Sequence, residues 1–323
     1  MTLDAPARWR HNRESLRLMS QGVGRNAAVD QNPSREREQA AETAPRVSAI
    51  VVSRYTGPTL ELCLRSALAE PWVGELIIID NGNPPAVSSA LRALQADRRD
   101  VRLIQPKHEI GLAEALNLGA AKARGRWLLF IDPHVVLQRG AAERMVAAGG
   151  GVRSPWIVGG RLTDTEGRER RGARRGALTA WSALAVALDL QGRGPRRRRR
   201  AKKSPGEPLA VAAVSGAFML APRADFNDLS GFDEGYFTDA ADLDLCRRAS
   251  DAGGVVLFQP AAAGVQFAGG RRPGRREAQG LARFAAKSAK TPGQRAFALI
   301  AGPALALLLG LRGMFGGRPP PRK

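Results

Sequence analysis

Two carboxylates stand where a sheet could put them to work. The runs Glu75–Asp80 (ELIIID) and Arg126–Asp132 (RWLLFID) are both apolar, and both end in an aspartate. An Asp after a strand commonly caps a helix or closes an Asx turn. Two of them at equivalent strand ends point beyond capping to a ligand site, because open α/β sheets bind ligands at the carboxyl ends of their strands. No P-loop is present, and no G-x-G-x-x-G follows the first strand, which argues against an NTPase and an ordinary dinucleotide-dependent dehydrogenase. No G-x-S-x-G elbow occurs, and none of the three histidines, His11, His108 and His134, lies near a candidate serine nucleophile, which argues against Ser/His hydrolase chemistry. Two cysteines, Cys63 and Cys246, are too few for a disulfide scaffold or a four-cysteine zinc site.

The elements that would carry these acids follow from hydropathy patterning. VSAIVVS (Val47–Ser53) reads as a buried strand. Thr59–Glu70 has helical spacing, with Leu60, Cys63, Leu64 and Ala67 on one face. Glu75–Asp80 is a strand ending in the turn cluster NGNPP, AVSSALRALQ a helix, and Val101–Gln105 a strand. Gly111–Gly125 reads as a helix with Gly as its C-terminal stop, and Arg126–Asp132 as a further strand. Strands apolar on both faces, alternating with helices, predict an α/β fold: a mostly parallel sheet flanked by helices through right-handed crossovers.

The composition is that of a folded chain. It has 323 residues, 44% hydrophobic and 25% charged, within the range of globular proteins. The net charge of +20 is localised. Residues 166–203 carry 13 basic and 3 acidic groups, residues 271–323 carry 12 and 1, and the rest is near neutral. Residues 1–45 are polar and low in aromatics, and read as a disordered tail. Charge interrupts Met1–Ser20 throughout, so no signal peptide is expected. Arg196, Arg197, Arg198, Arg199 and Arg200, with Lys202 and Lys203, form a polybasic loop (191–208). Each basic residue near an anionic leaflet contributes about 1 kcal/mol. Ala296–Leu311 is uncharged, interrupted by Pro303 and bounded by Arg295 and Arg312. As a helix it would reach about 24 Å, short of the ~30 Å hydrocarbon core, so it reads as an amphipathic or apolar helix at a membrane surface. Ala177–Leu190 is a second apolar stretch that could face lipid or acceptor. Aromatic residues for base stacking are missing around the basic loop, so nucleic acid is not an expected partner.

Four segments, VSAIVVSRYTGPTLELCLRSALAE, LIIIDNGNP, GLAEALNLGAAKARGRWLLFIDPHVVL and AVSGAFMLAPRADFNDLSGFDEGYFTDAADLDLCRRASDAGG, together resemble the inverting family 2 glycosyltransferases of GT-A fold. The resemblance is to the rhamnosyltransferase-like branch of bacterial polysaccharide assembly and covers about residues 46–270. It implies a transferase moving a hexose or deoxyhexose from a nucleotide-diphosphate sugar to a lipid-linked or glycan acceptor. It also implies a peripheral place on the cytoplasmic face of the bacterial inner membrane, with residues 271–323 as a membrane-associating segment. On this resemblance Ser53, Asp80, Asn81, Asn117 and Asp132 belong to the donor-nucleotide site, and Asp80 contacts the base. Asp132, His134 and Gln266 stand at the metal site, for Mg²⁺ or Mn²⁺. Asp242 is the base that takes the acceptor proton, with Asp239 in reserve, and Asp244 organises the helix start. Three positions depart from the family pattern: His134 in place of an acid, Gln266 in place of a His, and Ala241 in place of a Glu. These departures leave open a catalytically degenerate scaffold that binds at the membrane.

Overall fold

The computed structural model describes residues 47–170, 172–175, 206–237 and 240–267, together with 280, 283, 284 and 286–288. The expected tail, the polybasic loop with Arg196–Arg200, the stretch 177–190, Asp239 and the apolar run 296–311 lie outside the described residues.

The first half of the domain alternates as its hydropathy demands. Strand β1 (Val47–Ser53) is buried at all seven positions, and β2 (Val73–Asp80) at its last six. Helix α1 (Thr59–Leu68) joins them and buries Leu60, Cys63, Leu64 and Ala67, the face read from the sequence. Helix α2 (Pro85–Asp97) leads to β3 (Val101–Ile104), and α3 (Leu112–Lys122) leads to β4 (Trp127–Ile131). These four strands are parallel, in the order β3-β2-β1-β4. Ser53, Asp80 and Asp132 therefore emerge at one end of the sheet.

The glycine expected to stop α3 has another task. The helix ends at Lys122 with Ala123 as its cap, two residues before Gly125. A Cβ on Gly125 would lie 2.6 Å from the Ser48 hydroxyl, and its N–H donates to that oxygen (2.8 Å). Close approach to β1, rather than helix termination, requires the glycine.

Beyond β4 the sheet becomes mixed. After β5 (Val135–Leu137), helix α4 (Ala141–Gly149) and β6 (Trp156–Thr163), the short strands β7 (Arg174–Arg175), β8 (Leu209–Ala210) and β9 (Ala213–Val214) precede β10 (Phe218–Pro222). Strand β10 runs antiparallel between β4 and β6. Helices α5 (Arg223–Asp228) and α6 (Ala241–Asp251) follow, then β11 (Val255–Gln266), which pairs parallel with β6 and antiparallel with β5. The order is β3-β2-β1-β4-β10-β6-β11-β5, with β8 also on β11 and β7 paired with β9. The sequence showed the parallel half and left this return half undivided, because its strands pair out of sequence order.

One apolar core runs through both halves, with Ile50, Ile77, Phe130, Phe218, Leu220 and Phe258 fully buried. Phe130, Phe226 and Phe232 form a ring cluster with centroids 5.0–5.3 Å apart. Such pairs contribute about 0.5–1.5 kcal/mol each beyond their buried area. Among the described residues no helix is long and apolar enough to cross a membrane.

Candidate active site

The chain turns sharply after β4. Pro133 follows Asp132, and Val135 N–H donates to the Asp132 carbonyl (2.9 Å). The Asp132 Oδ1 accepts the His134 N–H (2.8 Å). An Asp-Pro pair opening a turn explains both bonds, so the local capping role is real. It leaves Asp132 Oδ2 without a hydrogen bond among the described residues. Burial pushes the Asp132 carboxyl above the usual carboxylate range, opposed by the His134 N–H and imidazole.

His134 is oriented by α1. Its Nδ1 lies 2.8 Å from Thr59 Oγ1, which is also 3.4 Å from the Thr56 carbonyl. The hydroxyl has one hydrogen. If that hydrogen goes to the carbonyl, Nδ1 must donate, and Nε2 keeps the lone pair that binds a metal. The β11–β5 register sets Gln266 opposite Val135, and Phe267 N–H donates to the His134 carbonyl (2.9 Å). Asp132, His134 and Gln266 thus share one corner.

This donor set fits a divalent cation of a particular kind. Among the described residues no three His, Cys, Asp or Glu side chains converge as a metal cage. One carboxylate oxygen and one imidazole nitrogen suit a cation whose shell is completed by water and substrate phosphates, as hard divalent ions commonly are.

Asp242 stands in the first turn of α6, after Ala240, a non-glycine residue in the left-handed region (φ 71°). Its Oδ2 accepts the Gly216 N–H (2.9 Å), and its Oδ1 accepts the Leu243 N–H (2.8 Å). These bonds fix the carboxylate while leaving each oxygen a second lone pair. The next residue along, Ala217, accepts the Asp132 N–H through its carbonyl (2.9 Å). The backbone of Gly216–Ala217 therefore joins the Asp242 carboxylate to the backbone of Asp132.

Asp80 is more enclosed than a free ligand group. Its Oδ1 accepts the Asn83 N–H (3.0 Å) and the Asn83 amide (2.8 Å); its Oδ2 accepts Ser88 (2.5 Å) and Gln105 (2.8 Å). Burial raises its pKa, but these donors outweigh burial and hold the carboxyl below its ordinary value. Ser53 is fully buried and bonds to Thr56 and Asn83. Asn81 bonds at both ends to the backbone of Ile110 (2.9 and 3.0 Å). Asn117 grips the Phe232 backbone in both directions (2.9 Å each). The turn it grips needs a glycine: Gly231 has φ 64°, and a Cβ there would lie 2.7 Å from Asn117 Oδ1. Ser53, Asn81 and Asn117 hold the loops around the site with their polar atoms.

Sequence reasoning missed Asn83, the hub between Ser53, Asp80 and the Tyr55 N–H. It lay in a segment read only as a turn. It also missed Thr59, for which no local signal exists. Asp244 is buried at the helix start and pairs with Arg248 (2.7 Å) and Lys287 (2.9 Å).

Residues 48–207 match the family model described as glycosyl transferase family 2. The chain is 26% identical over 228 residues to the N-acetylglucosaminyl-diphospho-decaprenol L-rhamnosyltransferase of Mycobacterium tuberculosis, covering 66% of this chain and 73% of that protein. It is 39% identical over 67 residues to the rhamnosyltransferase WbbL of Escherichia coli, covering 21% of this chain and 25% of that one. In fold it is similar to the mannosyltransferase PcManGT of Pyrobaculum calidifontis, solved with GDP-Man and Mn²⁺. That match has a TM-score of 0.55 at 17% identity and covers 89% and 84% of the two chains. The sheet, the paired carboxylates at its carboxyl end and these similarities agree: the chain belongs to glycosyl transferase family 2, as a rhamnosyltransferase-like enzyme of GT-A fold.

Proposed function

We propose that the protein transfers a hexose or deoxyhexose, rhamnose among the candidates, from a nucleotide-diphosphate donor to a lipid-linked or polysaccharide acceptor, with inversion at the anomeric carbon. The observation that carries this reading is the Gly216–Ala217 bridge, which couples the donor-side Asp132 to Asp242 through two 2.9 Å hydrogen bonds. Asp242 takes the proton of the acceptor hydroxyl as its oxygen attacks the anomeric carbon. The bond from that carbon to the diphosphate breaks, and the nucleoside diphosphate leaves with the electron pair. A divalent cation bound by Asp132 and His134 would neutralise charge developing on the leaving group.

Asp242→Asn tests the base. Removing a general base typically costs 10²–10⁴-fold. Transfer should fall by about that much while nucleotide binding stays within twofold; retained turnover would overturn the assignment. The wider reading places the enzyme at the cytoplasmic face of the inner membrane of a bacterium, held by Arg196–Arg200 and the 296–311 run against anionic lipid.

A further inference from the structure

The ribbon that extends β6 carries a cation with no anion. Thr163 pairs with Glu169, and Arg170 N–H donates to the Leu162 carbonyl (2.8 Å), so Arg170 lies on the returning arm. Its side chain reaches to β11, where Nη2 donates to the Gln266 carbonyl (2.7 Å). Its Nε is buried and has no partner. Neighbouring arginines behave differently: Arg168 pairs with Glu166, and Arg174 with Glu169. Among the described residues Arg170 forms no ion pair.

A half-buried guanidinium with no carboxylate partner is costly unless an anion completes it. Its location says which anion. The carbonyl it holds belongs to Gln266, opposite Val135 and next to the residue that bonds His134. That is the corner where Asp132 and His134 offer a cation only two ligands. A guanidinium fork matches two phosphate oxygens, and its charge survives at any working pH.

We propose that Arg170 is a diphosphate-binding residue of this enzyme, presenting its remaining Nη–H groups to the phosphate oxygens and supplying positive charge independent of the metal. The proposal rests on the transferase reading. Both the donor and a lipid-linked acceptor can bring a diphosphate, and the test separates them.

The experiment is calorimetry on the full chain with inorganic pyrophosphate, UDP and dTDP, with EDTA and with Mn²⁺. It compares wild type, Arg170→Ala, Arg170→Lys and, as control, the exposed Arg168→Ala. Thermal unfolding checks that each variant folds. Arg170→Ala should weaken pyrophosphate binding about 10- to 100-fold, the range for charge-assisted hydrogen bonds. Arg170→Lys should recover part of the loss as a point charge, and Arg168→Ala should match wild type. If nucleotide affinity falls in parallel in EDTA, the diphosphate is the donor's. If nucleotide affinity holds while the KM for a polyprenyl-diphosphate sugar acceptor rises tenfold, it is the acceptor's. Folded Arg170→Ala within twofold of a nucleotide-binding wild type on every measure overturns the proposal alone. A wild type that binds no nucleotide, GDP included, under any condition overturns the transferase reading and the proposal with it.

Discussion

Lys287→Ala should destabilise the domain by about 2 kcal/mol, although the residue lies in the basic C-terminal segment. The Lys287 ammonium bonds Asp233 (2.8 Å) and Asp244 (2.9 Å). The Asp244 side chain is only 2% exposed, that of Asp233 20% and that of Lys287 41%. A charge-assisted bond to a buried carboxylate is worth about 1.5–3 kcal/mol, and a more exposed pair about 0.2–1. Arg248 stays on Asp244 and Arg283 on Asp233, so the lower part of the summed range applies. The assay is urea unfolding of the full chain; with a slope of about 2–3 kcal/mol/M, the midpoint should fall by roughly 1 M. Lys287→Arg should restore most of it. The pH dependence has a definite sign. Burial raises the Asp233 pKa, but Lys287, the Gly235 N–H and Arg283 outweigh it and bring the carboxyl to about 2. Its contribution is full above the ordinary carboxylate value and lost as pH falls toward 2. For Lys287, burial lowers the pKa, and the bonds to Asp233 and Asp244 raise it above its ordinary value. That contribution is full below the ordinary lysine value and fades as pH rises through the raised one. Wild type and Lys287→Ala should therefore converge at both extremes. A midpoint shift under 0.3 M, or one that ignores pH, would refute the reasoning.

Other expectations concern the metal and the membrane. His134→Ala should abolish the gain in nucleotide affinity that Mn²⁺ confers and leave metal-free binding unchanged, read by calorimetry with and without EDTA; an undiminished Mn²⁺ effect would remove His134 from the metal site. Replacing Arg196–Arg200 with Gln should cut binding to phosphatidylglycerol vesicles by about 4 × 10³-fold at low salt, from about 1 kcal/mol per arginine. Equal flotation of wild type with neutral phosphatidylcholine vesicles would count against the electrostatic reading.

The parallel half of the fold was legible because β1, β2 and β4 are buried on both faces along most of their length and α1 carries one apolar stripe. The span of β1 emerged without error. The positions of Asp80 and Asp132 followed from strand ends alone. What escaped was set by tertiary contact. Glu70 accepts the N–H groups of Gly140 and Ala142 (2.7 and 2.9 Å), capping α4 from 70 residues away. Asp225 accepts Ser154 and the Trp156 N–H (2.9 Å), tying α5 to β6. Arg170 shows the same limit: nothing in RERR distinguishes the arginine that reaches β11 from Arg168, which pairs locally.

Strand β2 shows why burial of an acid does not identify a site. It carries a buried carboxylate near each end. Glu75, at its amino-terminal end, accepts Ser48 (2.5 Å) and both the backbone (2.6 Å) and guanidinium (3.1 Å) of Arg124. Burial raises its pKa, and these donors more than offset that and lower it. Asp80, at the carboxyl end, is equally saturated and shifted in the same direction for the same reasons. The difference lies in place and in one exposed donor. Glu75, near the amino end of the strand, is held by the Ser48 hydroxyl and by the backbone and guanidinium of Arg124. Asp80 is held largely by the side chains of Ser88, Asn83 and Gln105, and Gln105 is exposed. A side-chain donor can rotate away and be exchanged for a ligand's N–H at little cost, because one hydrogen bond replaces another. An exposed, exchangeable donor at the carboxyl end of the parallel strands, rather than burial or a shifted pKa, is what supports proposing Asp80 as a ligand group and Glu75 as a structural one.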